Sequence, residues 1–261
     1  MRVLRPVKMM TAICVALSLL TACGNETQAG PASSGGTSSG PKVVASTSWV
    51  GGFAKAAGAT NITIIASADL QHPPDYDPKP SDLAAVAKAD YVLFSEFDGF
   101  AAKIKDATGG HAKLVPVKLE NTVEVIKAEV TRLAQIFGTT SVASSWLATF
   151  ERDHAALAAS VKSKYGSKPR AAISHLFMAY WGTFAGLTIV GTFGPELVTP
   201  SQLADLTAKK PELILANAHL PGTPEVAGAK RVDLMNFPRS DLDLMFVFRT
   251  NTERLSAALI A

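Results

Sequence analysis

The sequence predicts an α/β protein of two similar α/β lobes with parallel sheets, joined by a long connecting helix, with a ligand cleft between the lobes. Three observations point there. Short runs that are apolar throughout alternate with helical patterns in both halves of the chain, as expected of strands covered on both faces of a parallel sheet. Between the halves, residues 121–164 keep helical periodicity and contain no strand pattern. Finally, Pro80-Ser81-Asp82-Leu83-Ala84 before a strand at Tyr91 is echoed by Pro200-Ser201-Gln202-Leu203-Ala204 before a strand at Leu213. Nearly equal spacing in the two copies marks the lobes as related units.

Each element has its own warrant. Val43–Ser46 is short and apolar, a buried strand, and Trp49–Ala57 is a helix closed by Gly58. Ile62–Ala66 is β-branched and apolar, the second strand. Pro80 opens a helix through Ala89, where Ser81 and Asp82 suit the first turn. Tyr91–Phe94 and Leu114–Val117 are the third and fourth strands. Val123, Ile126, Val130, Leu133 and Ile136 recur at helical spacing. Gly138-Thr139-Thr140 interrupts, and a second helix follows from about Ser141 to Lys164 with Trp146, Phe150, Leu157 and Val161 on one stripe. Strands are then expected at Ala171–Ser174, Thr188–Val190, Leu213–Ala216 and Val232–Leu234. Helices are expected at Leu176–Ala185, Pro200–Ala208 and Asp241–Ile260. The resulting division is a lobe over 42–140, a connecting helix over 141–166 and a lobe over 167–261.

The first forty residues read as export and tether. Arg2, Arg5 and Lys8 precede an apolar run from Met9 to Leu20, a secretory signal over 1–22. That run is too short for an ordinary transmembrane helix. Leu20-Thr21-Ala22-Cys23 resembles a bacterial lipobox, in which the cysteine thiol is acylated. Residues 23–41 are rich in Gly, Ser, Thr, Ala and Pro, a flexible tether that lacks the apolar side chains to offset backbone entropy. The chain has two cysteines, one in the signal and one at the anchor, so the mature domain has no disulfide and no thiolate ligand. Net charge is +3 with the basic residues scattered, which gives no nucleic-acid footprint.

Ligands of open α/β sheets bind beyond the carboxyl ends of the strands. That rule sorts the histidines. His72, His175 and His219 each follow a strand and lie on the ligand side. His111 precedes a strand, and His154 lies within the long helix as a solvated or packed side chain. Three convergent imidazoles would make a borderline-soft metal site suited to zinc. A carboxylate completes the set: Glu120 after the fourth strand is preferred to Glu96 after the third. Asp241 and Asp243 lie beyond the last strand, and Asp241 fits better as a helix start. The tract from His72 to Pro80 contains Pro73, Pro74, Pro78 and Pro80, which stiffen the loop that carries His72.

From Val43 onward the chain resembles the zinc and manganese cluster of metal-binding lipoproteins of bacterial ABC importers. That family carries a His-x-Tyr-x-Pro tract after its second strand, then a Pro-Ser-Asp-Leu helix and an Ala-Asp-hydrophobic strand. Here stand His72 with Asp75-Tyr76-Asp77-Pro78, then Pro80-Ser81-Asp82-Leu83-Ala84 and Ala89-Asp90-Tyr91-Val92-Leu93. Gly191-Thr192-Phe193-Gly194-Pro195-Glu196 with Pro200-Ser201 resembles the second-lobe segment, and His175 falls at a family ligand position. The sequence also departs from the pattern. His72 precedes Tyr76 by four residues rather than two. Lys118-Leu119-Glu120 stands where the family has its second histidine, and the late acidic ligand falls near Met235 or Asn236. His219 is then the substitute ligand.

The resemblance implies a non-enzymatic, extracytoplasmic solute-binding lipoprotein. It would be lipid-anchored to the cell membrane and would hand a divalent metal, held by His72, His175, His219 and Glu120, to an ABC permease. A binder of a metal chelate or cobalamin-like ligand, with Phe177, Tyr180 and Trp181 lining the cleft, is the alternative within transport. A surface adhesin is another. A zinc hydrolase needs an open metal position and a base, and no His-Glu-x-x-His pattern is present. The anchor is directly testable: Cys23→Ala should leave the protein soluble or uncleaved in a membrane fractionation, and normal processing with membrane retention rules the lipobox out.

Overall fold

The computed structural model describes residues 40–164 and 170–259. The predicted signal, Cys23 and most of the tether lie outside the described residues. Two four-stranded, all-parallel sheets are present. The first comprises β1 (Lys42–Thr47), β2 (Asn61–Ala66), β3 (Tyr91–Phe94) and β4 (Lys113–Pro116) in the order β2-β1-β3-β4. The second comprises β5 (Ala171–His175), β6 (Thr188–Phe193), β7 (Leu213–Asn217) and β8 (Lys230–Leu234) in the order β6-β5-β7-β8. The orders are the same, so the echoed Pro-Ser motif reflects a repeated topology. In each lobe its helix, α2 (Pro80–Val86) or α7 (Pro200–Ala208), leads into the third strand.

The helix starts follow local chemistry. In α7 the Thr199 hydroxyl accepts from the Gln202 N–H, and the Gln202 side chain accepts from the Thr199 N–H. This reciprocal cap satisfies donors that a helix start leaves unpaired. In α2 Asp82 reaches back to the Lys79 N–H at 2.8 Å and also accepts from the Tyr76 hydroxyl at 2.9 Å. That second bond ties the proline-rich tract to the helix. Residues 95–112, left unassigned by the sequence pattern, contain the short helix α3 (Ala101–Ala107). Its seven residues, about two turns with Ile104 as the one large apolar side chain, give too weak a period to read.

Alternation along the strands sends neighbouring side chains to different cores. Val43 and Ala45 of β1 join a central cluster, whereas Val44 joins an outer one with Val86, Phe94 and Ile104. Leu213 and Leu215 of β7 join the same central cluster, and Ile214 turns to a second outer one with Ile173 and Leu206. The central cluster therefore belongs to both lobes. It is filled by α1 (Ser48–Ala56), α4 (Val123–Phe137), α5 (Thr140–Lys162), α6 (Tyr180–Ala185) and α8 (Leu244–Leu259). Gly138, with φ of +72°, ends α4 in the left-handed conformation that a glycine adopts without a Cβ penalty. The predicted long helix is α5, 23 residues or about 35 Å of axis.

α5 does more than connect. Phe150 packs on Trp146 and Phe248, and His154 lies among Phe150, Phe184 and Phe248. Across the lobes, α1 approaches the C-terminal segment closely. A Cβ on Gly52 would come within 2.7 Å of Leu244 and 3.2 Å of Pro238, and one on Gly51 within 3.2 Å of Leu242. At the start of α8 the Asp243 carboxylate, rather than the expected Asp241, accepts from the Met245 N–H, while Asp241 accepts from the Asp243 N–H. Among the described residues no helix is long and apolar enough to cross a membrane.

Burial lowers the pKa of His154 below its ordinary 6.5, with Lys162 acting the same way and Glu124 opposing. A neutral imidazole in the folded state means that the unfolded chain binds more protons below that value, so stability is lost as pH falls. Melting temperature should drop on acidification from about pH 7 to about pH 5, and His154→Phe, which keeps a ring in the cluster, should reduce that slope.

Candidate functional site

The loops that leave the carboxyl ends of the strands meet between the lobes around a cavity of about 590 Å³. Every strand except β6 contributes to the wall. Trp49 comes from the start of α1, His72 and Pro74 from the loop after β2, and Phe97 from the loop after β3. Leu119 and Glu120 follow β4, and Leu176, Phe177, Ala179 and Tyr180 follow β5. Asn217, His219 and Leu220 close β7, and Asn236 and Phe237 close β8. The ligand-side rule used on the sequence thus locates the cavity in both lobes.

His72 and His219 both line the cavity, one from each lobe, and a charge on His72 disfavours one on His219. Gln71 holds them there. Its side-chain amide donates to the Ala218 carbonyl at 2.7 Å, and its own carbonyl lies 3.1 Å from His219 Nδ1. A carbonyl can only accept, so His219 carries its proton on Nδ1 and leaves Nε2 with a free lone pair. That Nε2 is buried without a hydrogen-bond partner. Burial lowers the His219 pKa, against the Gln71 carbonyl, which raises it, so the neutral form prevails. The ring also stands edge-on to Phe237, centroids 4.7 Å apart. His72 Nδ1 lies 2.8 Å from Asp75 Oδ2, though out of line for a hydrogen bond. Asp75 belongs to a 3-10 turn (Pro73–Asp75) that the stiff tract builds immediately after His72.

His175 does not join the other two. It ends β5 and caps the following 3-10 turn (Leu176–Met178), its Nδ1 accepting from the Phe177 N–H at 3.1 Å. The ring is buried, tilted against Phe177 and edge-on to Phe193, and its Nε2 edge rests on Gly194, where a Cβ would come within 2.6 Å. Gly194 has φ of +78°, so both the turn and the close approach require glycine. Burial lowers the His175 pKa. The physical reason for the departure is local: the strand ends so near the next turn that the imidazole serves the turn's free N–H, and Leu176 and Phe177 take its place in the wall.

The carboxylates separate cleanly. Glu120 lines the cavity, whereas Glu96 turns away to Lys105, at 3.3 Å, on the far side of Phe97. His111 is exposed before β4. Phe177 and Tyr180 reach the cavity, while Trp181 is fully buried against Phe184 and Phe248.

Sequence reasoning missed the polar tie at the cavity floor. Trp49 Nε1–H donates to Asn121 Oδ1 at 3.0 Å, and Asn121 Nδ2 donates to Asn236 Oδ1 at 3.3 Å. The Tyr180 hydroxyl donates to the same Asn236 oxygen. Burial pushes the Tyr180 phenol up, with Glu120 nearby adding to the effect, so it stays a donor. These four residues come from both lobes and carry no charge. Their only signal in the sequence is position: Asn121 and Asn236 follow the last strands of their lobes.

No family model and no curated relative matches the sequence. Solved structures match in fold. The metal-dependent lipoprotein YcdH from Bacillus subtilis superposes with a TM-score of 0.60 at 18% identity, over 85% of this chain and 100% of its own. The laminin-binding protein Lmb of Streptococcus agalactiae, described as a bifunctional protein with adhesin and metal transporting activity, gives 0.62 at 17%, over 84% and 100%. The binding protein FpvC of Pseudomonas aeruginosa, in complex with nickel, gives 0.63 at 14%, over 84% and 96%. The fold is that of these metal-dependent binding proteins. At such identity the likeness is one of fold, and the ligand is argued from the cleft itself.

The tie at the floor makes a stability prediction. Asn121→Ala strands the Trp49 N–H and one side of Asn236 and should cost about 1–3 kcal/mol, whereas Tyr180→Phe should cost about 0.5–1.5 kcal/mol. Urea unfolding midpoints at unchanged slope would measure both.

Proposed function

We propose that this chain is an extracytoplasmic solute-binding lipoprotein that captures a divalent transition metal, zinc first, and delivers it to an ABC permease. His72 and His219 are the proposed ligands, with Glu120 as the carboxylate. One observation carries the reading: His219 Nε2 is a buried lone pair without a partner, on a residue that lines the cavity together with an imidazole of the other lobe. The Gln71 carbonyl on Nδ1 is the kind of outer contact that orients a metal-bound histidine and raises its basicity. The neighbours in fold support it, since YcdH is described as metal-dependent and FpvC was solved with nickel and with manganese.

Capture and release need no bond making, so no catalytic residue is assigned. His175, expected as a ligand from its position, is assigned instead to shaping the wall. The anchor at Cys23 would hold the domain at the outer membrane face, and the stretch before Lys42 would give it reach.

The unfolded chain presents no preformed site, so zinc bound to the native state should raise the melting temperature. At a free concentration of about a hundred times Kd the gain is about 2.7 kcal/mol. His219→Ala should abolish the shift and His72→Ala should reduce it strongly, while His111→Ala should leave it intact. Binding should weaken below about pH 6.5, because a ligating imidazole must be deprotonated. Equal zinc responses in all four proteins would sink the metal reading.

A further inference from the structure

The cleft is larger and more apolar than a bare ion requires. Zinc draws its ligands to about 2.0–2.1 Å, a sphere that two imidazoles and a carboxylate would nearly fill. The cavity is about 590 Å³, within the roughly 300–1,000 Å³ of small-molecule sites. Its wall is set by Trp49, Leu119, Phe97, Phe177, Leu220 and Phe237. Nor is the coordination sphere complete. Among the described residues, no three His, Cys, Asp or Glu side chains gather as a metal site. His72 and His219 offer two nitrogens, and a structural zinc takes four donors. His175, the only other histidine near the cleft, is spent on the Phe177 N–H.

The aromatic side chains at the mouth add a second argument. Phe97 of the first lobe is 53% exposed and Phe177 of the second 48% exposed, and both belong to the cavity wall. Large apolar side chains left open on either side of one cavity gain from a flat apolar ligand between them, and a hydrated ion would leave them wet. The polar side chains at the floor already satisfy each other, and the unpartnered buried nitrogens are those of His72 and His219 at the edge. Little is left to bind the donors of a sugar or a peptide.

We infer that the metal enters this cleft already chelated by a planar, uncharged aromatic ligand with two nitrogen donors. The chelator fills two coordination positions and lies against Phe97, Phe177 and Trp49. His219, through Nε2, and the His72 imidazole take the remaining two positions, and the Glu120 carboxylate offsets the cation's charge from the wall. The step is ligand exchange: two waters leave the chelated ion and two imidazole lone pairs replace them, with no change of oxidation state. This inference rests on the metal reading above.

The test uses isothermal titration of the purified protein with three probes: zinc alone, phenanthroline alone, and the preformed one-to-one zinc–phenanthroline complex. The complex should bind at least about tenfold more tightly than zinc alone, a difference of about 1.4 kcal/mol. The double variant Phe97→Ala, Phe177→Ala removes two exposed rings that the core does not use. It should lose that preference and keep the affinity for zinc alone. His219→Ala should lose both metal forms, and its melting curve without ligand checks that it is folded. Zinc binding as tightly alone as in the complex, unchanged in the double variant, overturns the chelate and leaves the metal reading standing. Phenanthroline binding equally with and without zinc overturns the chelate, and failure of zinc to bind in either form overturns both.

Discussion

Everything in this molecule depends on one layer of helices serving two sheets. α1 and α4 cover the inner face of the first sheet, α6 and α8 that of the second, and α5 lies between them, all in one hydrophobic cluster. Two lobes hinged by a flexible strand pair each keep a private core. Here the outer faces have private cores and the inner faces do not. Parting the lobes would pull Trp49 from Phe237, whose rings meet edge-on at 5.4 Å, and α1 from Leu244. Hydrophobic burial scales with the area removed from water, so wide opening is expensive and the cleft between the strand ends keeps a nearly fixed width. Gly51 and Gly52 belong to the same constraint, because only a bare backbone lets α1 come this near Leu242 and Leu244.

A fixed cleft explains why its polar groups can be neutral. Charged pairs removed from water need strong compensation. The floor of this cavity instead uses amides and a phenol, which satisfy each other without a desolvated charge. Asn121 and Asn236, which follow the last strand of each sheet, make a structural tie there. The histidines that do face the cavity sit at its edge, in the loops after β2 and β7.

Strand positions were legible because a doubly covered parallel sheet writes itself as short, wholly apolar runs, and each predicted run lies on an observed strand to within a residue or two, β6 and β8 being longer. The repeated topology was legible from the two Pro-Ser motifs. α3 was not, since seven residues of small and basic side chains carry no clear period. At the site, the side of the sheet was readable and the direction of each ring was not. His72 and His219 reach the cavity because Gln71 and the proline-rich turn aim them, whereas His175 has a backbone N–H two residues ahead that claims its lone pair. Such competition between a local turn and a distant ligand leaves no trace in spacing. The separation of Glu120 from Glu96 likewise depends on Lys105, nine residues further on.

The Gln71 contact couples the His219 ring to the separation of the lobes. Two bonds cross from the first lobe to the second there, one to the Ala218 carbonyl and one at the His219 ring. The imidazole keeps its tautomer and its aim only while the lobes stay at this separation. A displacement of about one hydrogen-bond length, far smaller than would unpack the shared core, frees Nδ1 and lets the ring swing or take up a proton. Moving the loops after β2 and β7 apart would thus free the His219 ring without unfolding anything. One glutamine ties the orientation of an imidazole in one lobe to its distance from the other.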